Sequence, residues 1–407
     1  MKLIYIANAR IPTEKAHGIQ IMQMCEAFAS LDNNSKRSID KNLKLSVELI
    51  IPYRFNKIKE GPFEYYEIKK VFKIIKLFCI DLIPLSPLLG NLAFWFQTIT
   101  FLISVKIYLL FKSIKIRRLF FVAIHKPYHI LYTREPFVAF FFKDFVLEIH
   151  SLPKKTKKFH IKIWHKAKAL IVLTEFIKKT LIASGVSEDK ILVASDGVDL
   201  KKFDINFDQI VLRKEFNLPE NKKIIGYIGK LETLEKPKGV DILLKAFEIL
   251  QNQKFNNLEL YLIGGPLKKI QEYKQLCKER NIKNVIFIDH ITRHLVPKYL
   301  KAFDVLAMPS PWTDFFAYYT SPLKLFEYMA SKRPIISSDL PSIREILNKN
   351  NAVLVNPDEP EALAKAIKKV LQDSEMANKI SKQAFEDVKE YTWGKRVERI
   401  LKFISKE

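Results

Sequence analysis

Short apolar runs of strand length recur along the first half of the chain, at residues 2–7, 43–52, 129–133, 145–149, 169–173 and 191–194. Segments with helical spacing separate them. The first helix is expected from about Gly18 to Leu31, with Ile19, Met22, Ala27 and Leu31 as its apolar stripe. A polar loop at 32–42 ends it. Residues 68–120 read as mostly helical, Pro127 as a break, and 136–142, 159–167 and 176–184 as further helices. This alternation predicts a mostly parallel sheet covered by helices.

A polar stretch at 201–223 interrupts the pattern, which places a domain boundary near Phe203. The alternation then restarts. Strands are expected at 223–227, 258–263, 285–288, 305–308, 334–337 and 352–355. Helices are expected at 239–251, 268–279, 294–301, 322–331, 342–347 and 359–373. The last stretch, 380–406, reads as helix and carries Phe385, Trp393, Val397, Ile400, Leu401 and Ile404. An apolar face of that length needs a surface to cover, and a return to the first half supplies one. The expected division is 1–203, 204–384 and a terminal helix from 385 to 407.

The 407 residues suit two domains with real cores. Cys25, Cys79 and Cys277 form no C-x-x-C, so a reducing compartment and buried thiols are expected. The formal charge of +24 favours anionic partners, although a lysine bias spread through the whole chain gives the same number. Residues 3–7 are too short for a secretory core, so a cytoplasmic protein is expected. Residues 88–110 pass the crude length test for a membrane span. Asn91, Gln97, Thr98 and Thr100 weaken that reading. A buried helix of a large α/β domain fits better. So does a helix lying on an anionic bilayer surface, because Lys69, Lys70, Lys73, Lys76, Lys112, Lys115, Arg117 and Arg118 flank it.

Ligands of open α/β sheets bind beyond the carboxyl ends of the strands. In Ser321-Pro322-Leu323-Lys324-Leu325-Phe-Glu327, a helix opening at Pro322 presents the N–H groups of Leu323, Lys324 and Leu325 to an anion. Lys324 adds a mobile charge, and Glu327 lies at i,i+3 from it. A carboxylate there could accept from two ribose hydroxyls, or the two residues could be an ordinary surface pair. Gly229-Lys230 ends a strand and Lys238-Gly239 opens a helix, so two lysines bracket one loop. They suit a diphosphate clamp, or each could face solvent. Gly264-Gly265-Pro266 is a tight turn. Gly18 opens the first helix, where backbone could approach a ligand. His150 ends a strand two residues after Glu148. No H-E-x-x-H or D-x-D occurs, so no metal site is expected. No RNP, zinc-finger or helix-turn-helix pattern supports nucleic-acid binding.

With these segments in this order, the chain resembles the retaining glycosyltransferases of the GT-B fold, glycosyl transferases group 1 or family 4. The carrying segments are Ile11 to Gly18, Leu147-Glu-Ile-His150, Ser195-Asp-Gly-Val-Asp199, Gly226-Tyr-Ile-Gly-Lys230, Lys238-Gly-Val-Asp241, Gly264-Gly-Pro266, Ser321 to Ala330, and Ser338 to Glu345. The resemblance implies two Rossmann-like α/β domains facing across a cleft, with a C-terminal helix crossing back to the N-domain. It implies a metal-independent hexosyltransferase with no tightly bound cofactor and a UDP- or GDP-sugar as donor. A saccharide or lipid-linked acceptor fits, as does a role in envelope polysaccharide synthesis at the inner face of the membrane.

By position, Lys230 and Lys238 would hold the donor diphosphate, Glu327 the ribose, and residues 321–325 the diphosphate and sugar. Gly18, Gly229 and Gly265 would give close backbone, and His150 would approach the transferred sugar. The family's first glutamate is replaced here by Tyr319. A same-fold sugar-nucleotide epimerase and a non-catalytic nucleotide-sugar binder are the alternatives.

Overall fold

The computed structural model of the protein describes residues 2–31, 45–119, 129–205, 207–233, 236–255 and 257–405. The expected loop at 32–42 and the break at Pro127 lie outside the described residues. Two compact units result: Met1–Leu173 with Ile177–Ala194 and Trp393–Glu407, and Thr174–Phe176 with Ser195–Thr392.

The first unit contains β1 (Lys2–Ile6), α1 (Ala16–Ala29), β2 (Ser46–Pro52), α2 (Pro62–Tyr65), β3 (Lys73–Leu77), α3 (Ser86–Leu89), α4 (Asn91–Leu119), β4 (His129–Thr133), β5 (Phe145–Ile149), α5 (Lys158–Lys166), β6 (Ala169–Val172), α6 (Glu175–Ala183) and β7 (Ile191–Val193). Its sheet is parallel with strand order β3-β2-β1-β4-β5-β6-β7. Strands covered on both faces need continuous apolar runs, and the five residues of β5 are all buried.

The second unit contains α7 (Gln209–Glu215), β8 (Lys223–Ile228), β9 (Glu232–Thr233), β10 (Lys236–Pro237), α8 (Val240–Asn252), β11 (Leu258–Ile263), α9 (Leu267–Glu279), β12 (Val285–Ile288), α10 (Val296–Ala302), β13 (Val305–Met308), α11 (Leu323–Ala330), β14 (Ile335–Ser338), α12 (Pro341–Arg344), β15 (Val353–Val355), α13 (Pro360–Gln372) and α14 (Ser374–Val388). The order β12-β11-β8-β13-β14-β15 is again parallel. In both units the chain winds one way from the first strand and then the other. Each sheet therefore has a switch point beside its first strand, where the loops diverge and leave room for a ligand.

Three expectations need correction. Residues 68–120 are not one helical region: Lys73-Ile-Ile-Lys-Leu77 pairs with β2 as the edge strand β3. The stretch 380–406 is two helices, because residues 391–392 are extended against Val198. α14 starts earlier, capped by Asp373, which accepts from Met376 N at 2.9 Å. α4 is not a buried core helix, since only one of its faces packs inward.

The final helix, α15 (Trp393–Ile404), belongs to the first unit and packs on α1. Trp393, Val397, Ile400 and Ile404 form its apolar stripe, and Arg396 lies in the same stripe, fully buried. A guanidinium withdrawn from water demands partners. Its Nη2 donates to Glu148 Oε1 at 2.7 Å and to Ala194 O at 3.0 Å. Breaking one side of a buried pair leaves a stranded charge. Arg396→Ala is expected to lower unfolding stability by about 3–5 kcal/mol in denaturant titration. A loss below about 0.5 kcal/mol, as for a surface pair, would contradict the assignment.

Candidate functional site

In the second unit the predicted residues gather at the carboxyl ends of β11, β8 and β13. β9 and β10 form a small hairpin between Lys230 and Lys238. Its base is closed by Lys238 N donating to Leu231 O at 3.1 Å, and Leu231 N donates to Gly265 O at 2.9 Å. The hairpin thus brings the two lysines together beside the Gly264-Gly265 turn. Gly239, with φ +76°, opens α8, and a Cβ there would lie 1.5 Å from Pro309 O just beyond β13. Only glycine permits that approach.

α11 is tied to β8 by Tyr328, whose hydroxyl accepts from Ile228 N at 2.9 Å. One turn earlier, Lys324 reaches over the end of β8. Its Nζ lies 3.7 Å from the Tyr227 ring centroid. It fills the space where Gly229, at φ +137°, would carry a Cβ. Lys324 is therefore not the mobile surface charge expected from sequence. Burial pushes its ammonium well below the ordinary lysine range, and Lys238 pushes it further, with Glu327 opposing. Burial likewise lowers Lys238 to about 8, helped by the charge of Lys230.

Glu327 does not pair with Lys324. Its Oε1 accepts from Arg293 Nη2 at 2.8 Å, a partner with no signal in the sequence. Ser321 Oγ accepts from Asp196 N at 2.9 Å, which fastens the 195–199 turn to the start of α11. Pro322 is the N-cap residue and Leu323 the first helical one. Leu325 departs from expectation: its N–H donates back to Pro322 O at 2.9 Å, so the opening turn has consumed that donor. Tyr319 ends a turn of π-helix, its ring edge-on to Phe176 with centroids 5.5 Å apart.

Gly18 and His150 belong to the first unit. Gly18 lies in the first turn of α1 against the Tyr66 hydroxyl and Thr13. That hydroxyl accepts from Thr13 N at 2.7 Å and donates to Thr13 O at 2.9 Å, so packing of the preceding loop also requires a small residue there. His150 follows β5, with Nε2 2.8 Å from Glu148 Oε1. Burial would raise the Glu148 carboxyl, but Arg396, His150 and Arg134 hold it well below the usual range. Burial and the charge of Arg134 lower His150 to about 4. A neutral imidazole beside an ionised carboxylate places its proton on Nε2 and leaves Nδ1 as an acceptor. Glu148 also accepts from Gln20 Nε2 at 2.7 Å and Tyr132 Oη at 2.6 Å. Arg396 was detectable as the one charge on the apolar stripe of the last helix.

Among the described residues, no group of three or more His, Cys, Asp or Glu could hold a metal ion. What the second unit offers is cationic: Lys230, Lys238 and Lys324 beside two helix starts, a geometry for a diphosphate.

If an anion binds there, its affinity requires the Lys238 ammonium. Nucleotide-diphosphate affinity is expected to be full below pH about 8, the free-state value of Lys238. It should fall by up to about tenfold per unit as pH rises above that value. Affinity constant from pH 7 to 9.5 in equilibrium titration would remove Lys238 from the site.

Residues 208–387 match the family described as glycosyl transferases group 1. An uncharacterized glycosyltransferase of Methanocaldococcus jannaschii is 28% identical over 214 residues, 51% of each chain. A D-inositol 3-phosphate glycosyltransferase of Corynebacterium glutamicum is 25% identical over 213 residues, 50% of this chain and 49% of that one. The chain thus spans about half the length of these curated relatives. A protein of Anabaena, solved in complex with UDP-glucose, superposes over 100% of both chains with a TM-score of 0.69 at 15% identity. The Rossmann-like units are those of the GT-B fold, and residues 208–387 are similar to the glycosyl transferases group 1 family.

Proposed function

We propose that the protein is a glycosyltransferase that moves a hexose from a nucleotide-diphosphate sugar to a saccharide or lipid-linked saccharide, with retention at the anomeric carbon. The observation that carries this reading is the cluster of Lys230, Lys238 and Lys324 at the switch point of the second sheet, two of them with lowered pKa. Burying like charges together is unfavourable unless an anion joins them. In this reading the donor diphosphate is that anion. Glu327, held through Oε1 by Arg293, accepts from the ribose through Oε2. Gly229 and Gly265 line the approach of the diphosphate.

During transfer the bond from the anomeric carbon to the β-phosphate oxygen breaks. The acceptor oxygen bonds to that carbon, and the acceptor proton passes to the departing phosphate. Negative charge grows on the diphosphate as this happens, and the lysines stabilise it. His150 Nδ1 accepts a hydrogen bond from a hydroxyl of the transferred sugar and orients it. The proposed place is the cytoplasm, with acceptors at the inner face of the membrane. Such acceptors serve envelope polysaccharide synthesis. UDP is the first donor base to test, because the Anabaena protein binds UDP-glucose.

A panel of UDP- and GDP-sugars with lipid-linked acceptors tests the reading, and NMR of the product reads the anomeric configuration. Lys238→Ala is expected to lower kcat/KM by roughly a hundredfold or more while the protein stays folded. Unchanged turnover and donor affinity in that variant would refute the clamp. Donor consumption at the same rate without acceptor would instead favour hydrolysis or epimerisation.

A further inference from the structure

The outer face of α4 is built the wrong way round for water. Ala93, Gln97, Thr98, Phe101, Leu102 and Val105 follow helical spacing and face the core of the first unit, all of them buried. The polar pair in this set is held inside: Gln97 Nε2 donates to Asn8 Oδ1 at 2.9 Å, and Asn8 Nδ2 donates to Thr98 Oγ1 at 2.9 Å. The opposite face presents Leu92, Phe96, Ile99, Ile103, Ile107 and Leu110, all exposed, with Lys106 among them. A helix on a soluble surface shows the reverse arrangement.

The apolar surface extends beyond the helix. Leu88, 84% exposed, belongs to α3, which packs against α4. Trp95 lies against Phe137 with ring centroids 4.7 Å apart and planes tilted by 59°, and Phe137 in turn stacks on the exposed Phe140. Single exposed leucines are ordinary on proteins, but a continuous tract of this kind marks a surface that is covered in use.

We infer that this face seats in the headgroup and upper acyl region of an anionic phospholipid bilayer, with α4 lying flat. Charge selects the occupant. No Asp or Glu occurs between Asp81 and Glu135, whereas Lys106 projects from the apolar face itself. Lys73 and Lys76 are exposed on β3, which contacts α4. A basic rim around an apolar strip with a half-exposed tryptophan matches an anionic interface. A second copy fits poorly, because a two-fold contact would set these lysines against their own counterparts. α4 does not cross the bilayer in this arrangement, since its other face is the wall of the first unit. The inference deepens the proposed function by bringing the first unit to lipid-linked acceptors, and it rests on that reading only for this consequence.

The test is co-sedimentation of the full chain with vesicles of phosphatidylcholine alone or with about one-third phosphatidylglycerol. Strong binding to the anionic vesicles and weak binding to the neutral ones is expected. Ile103→Asp with Ile107→Asp should weaken anionic-vesicle binding by roughly tenfold or more. Lys106→Glu should weaken it without touching the core. UDP affinity, measured in parallel, should be unchanged in all variants, which keeps failure of the docking surface distinct from failure of the nucleotide site. Wild-type protein that ignores both vesicles, variants that bind like wild type, or a lipid-free dimer abolished by the double variant would each overturn the inference.

Discussion

The second unit depends on a conflict of like charges. Burial lowers the readiness of both Lys238 and Lys324 to carry a proton, Lys230 adds to the effect on Lys238, and Lys238 adds to that on Lys324. Glu327 opposes the shift of Lys324 while its Oε1 accepts from Arg293. Partial relief comes from the face of Tyr227 beneath Lys324. Much of the local backbone serves this placement. Gly239 lets α8 start against Pro309, and Gly229 makes room for Lys324. Tyr328 fixes α11 to β8 one turn beyond that lysine.

The first unit treats buried charge in the opposite way. Glu148 is surrounded by donors from α1, β4 and α15, and its ionised state is secured. The terminal helix is therefore part of the environment of His150, reaching it through one carboxylate. One unit holds a closed polar network that fixes a tautomer. The other gathers lysines whose charged form burial disfavours. On the proposed reading, His150 orients the sugar and the lysines stabilise charge.

Much of the architecture could be read from the sequence, because parallel strands buried on both faces leave continuous apolar runs. The strand β3 escaped because its five residues lie between basic segments and a long apolar stretch that reads as helix. Lys230 and Lys238 were visible from their flanking glycines and Glu327 from its spacing. The hairpin that joins the lysines was not visible, because its two-residue strands carry no periodicity. Arg293 has no local pattern, since its partner lies 34 residues away. For α4, periodicity identified the helix but could not separate core from surface when nearly every position is apolar.

The central claim is that a diphosphate supplies the charge the lysine cluster lacks. Its most direct test is calorimetric titration of UDP into the protein at pH about 8, in buffers of different ionisation enthalpy. If the claim holds, binding draws a substantial fraction of a proton from the buffer, and Lys238→Met abolishes most of that uptake. Binding with the same heat in every buffer, in wild type and variant alike, would contradict it.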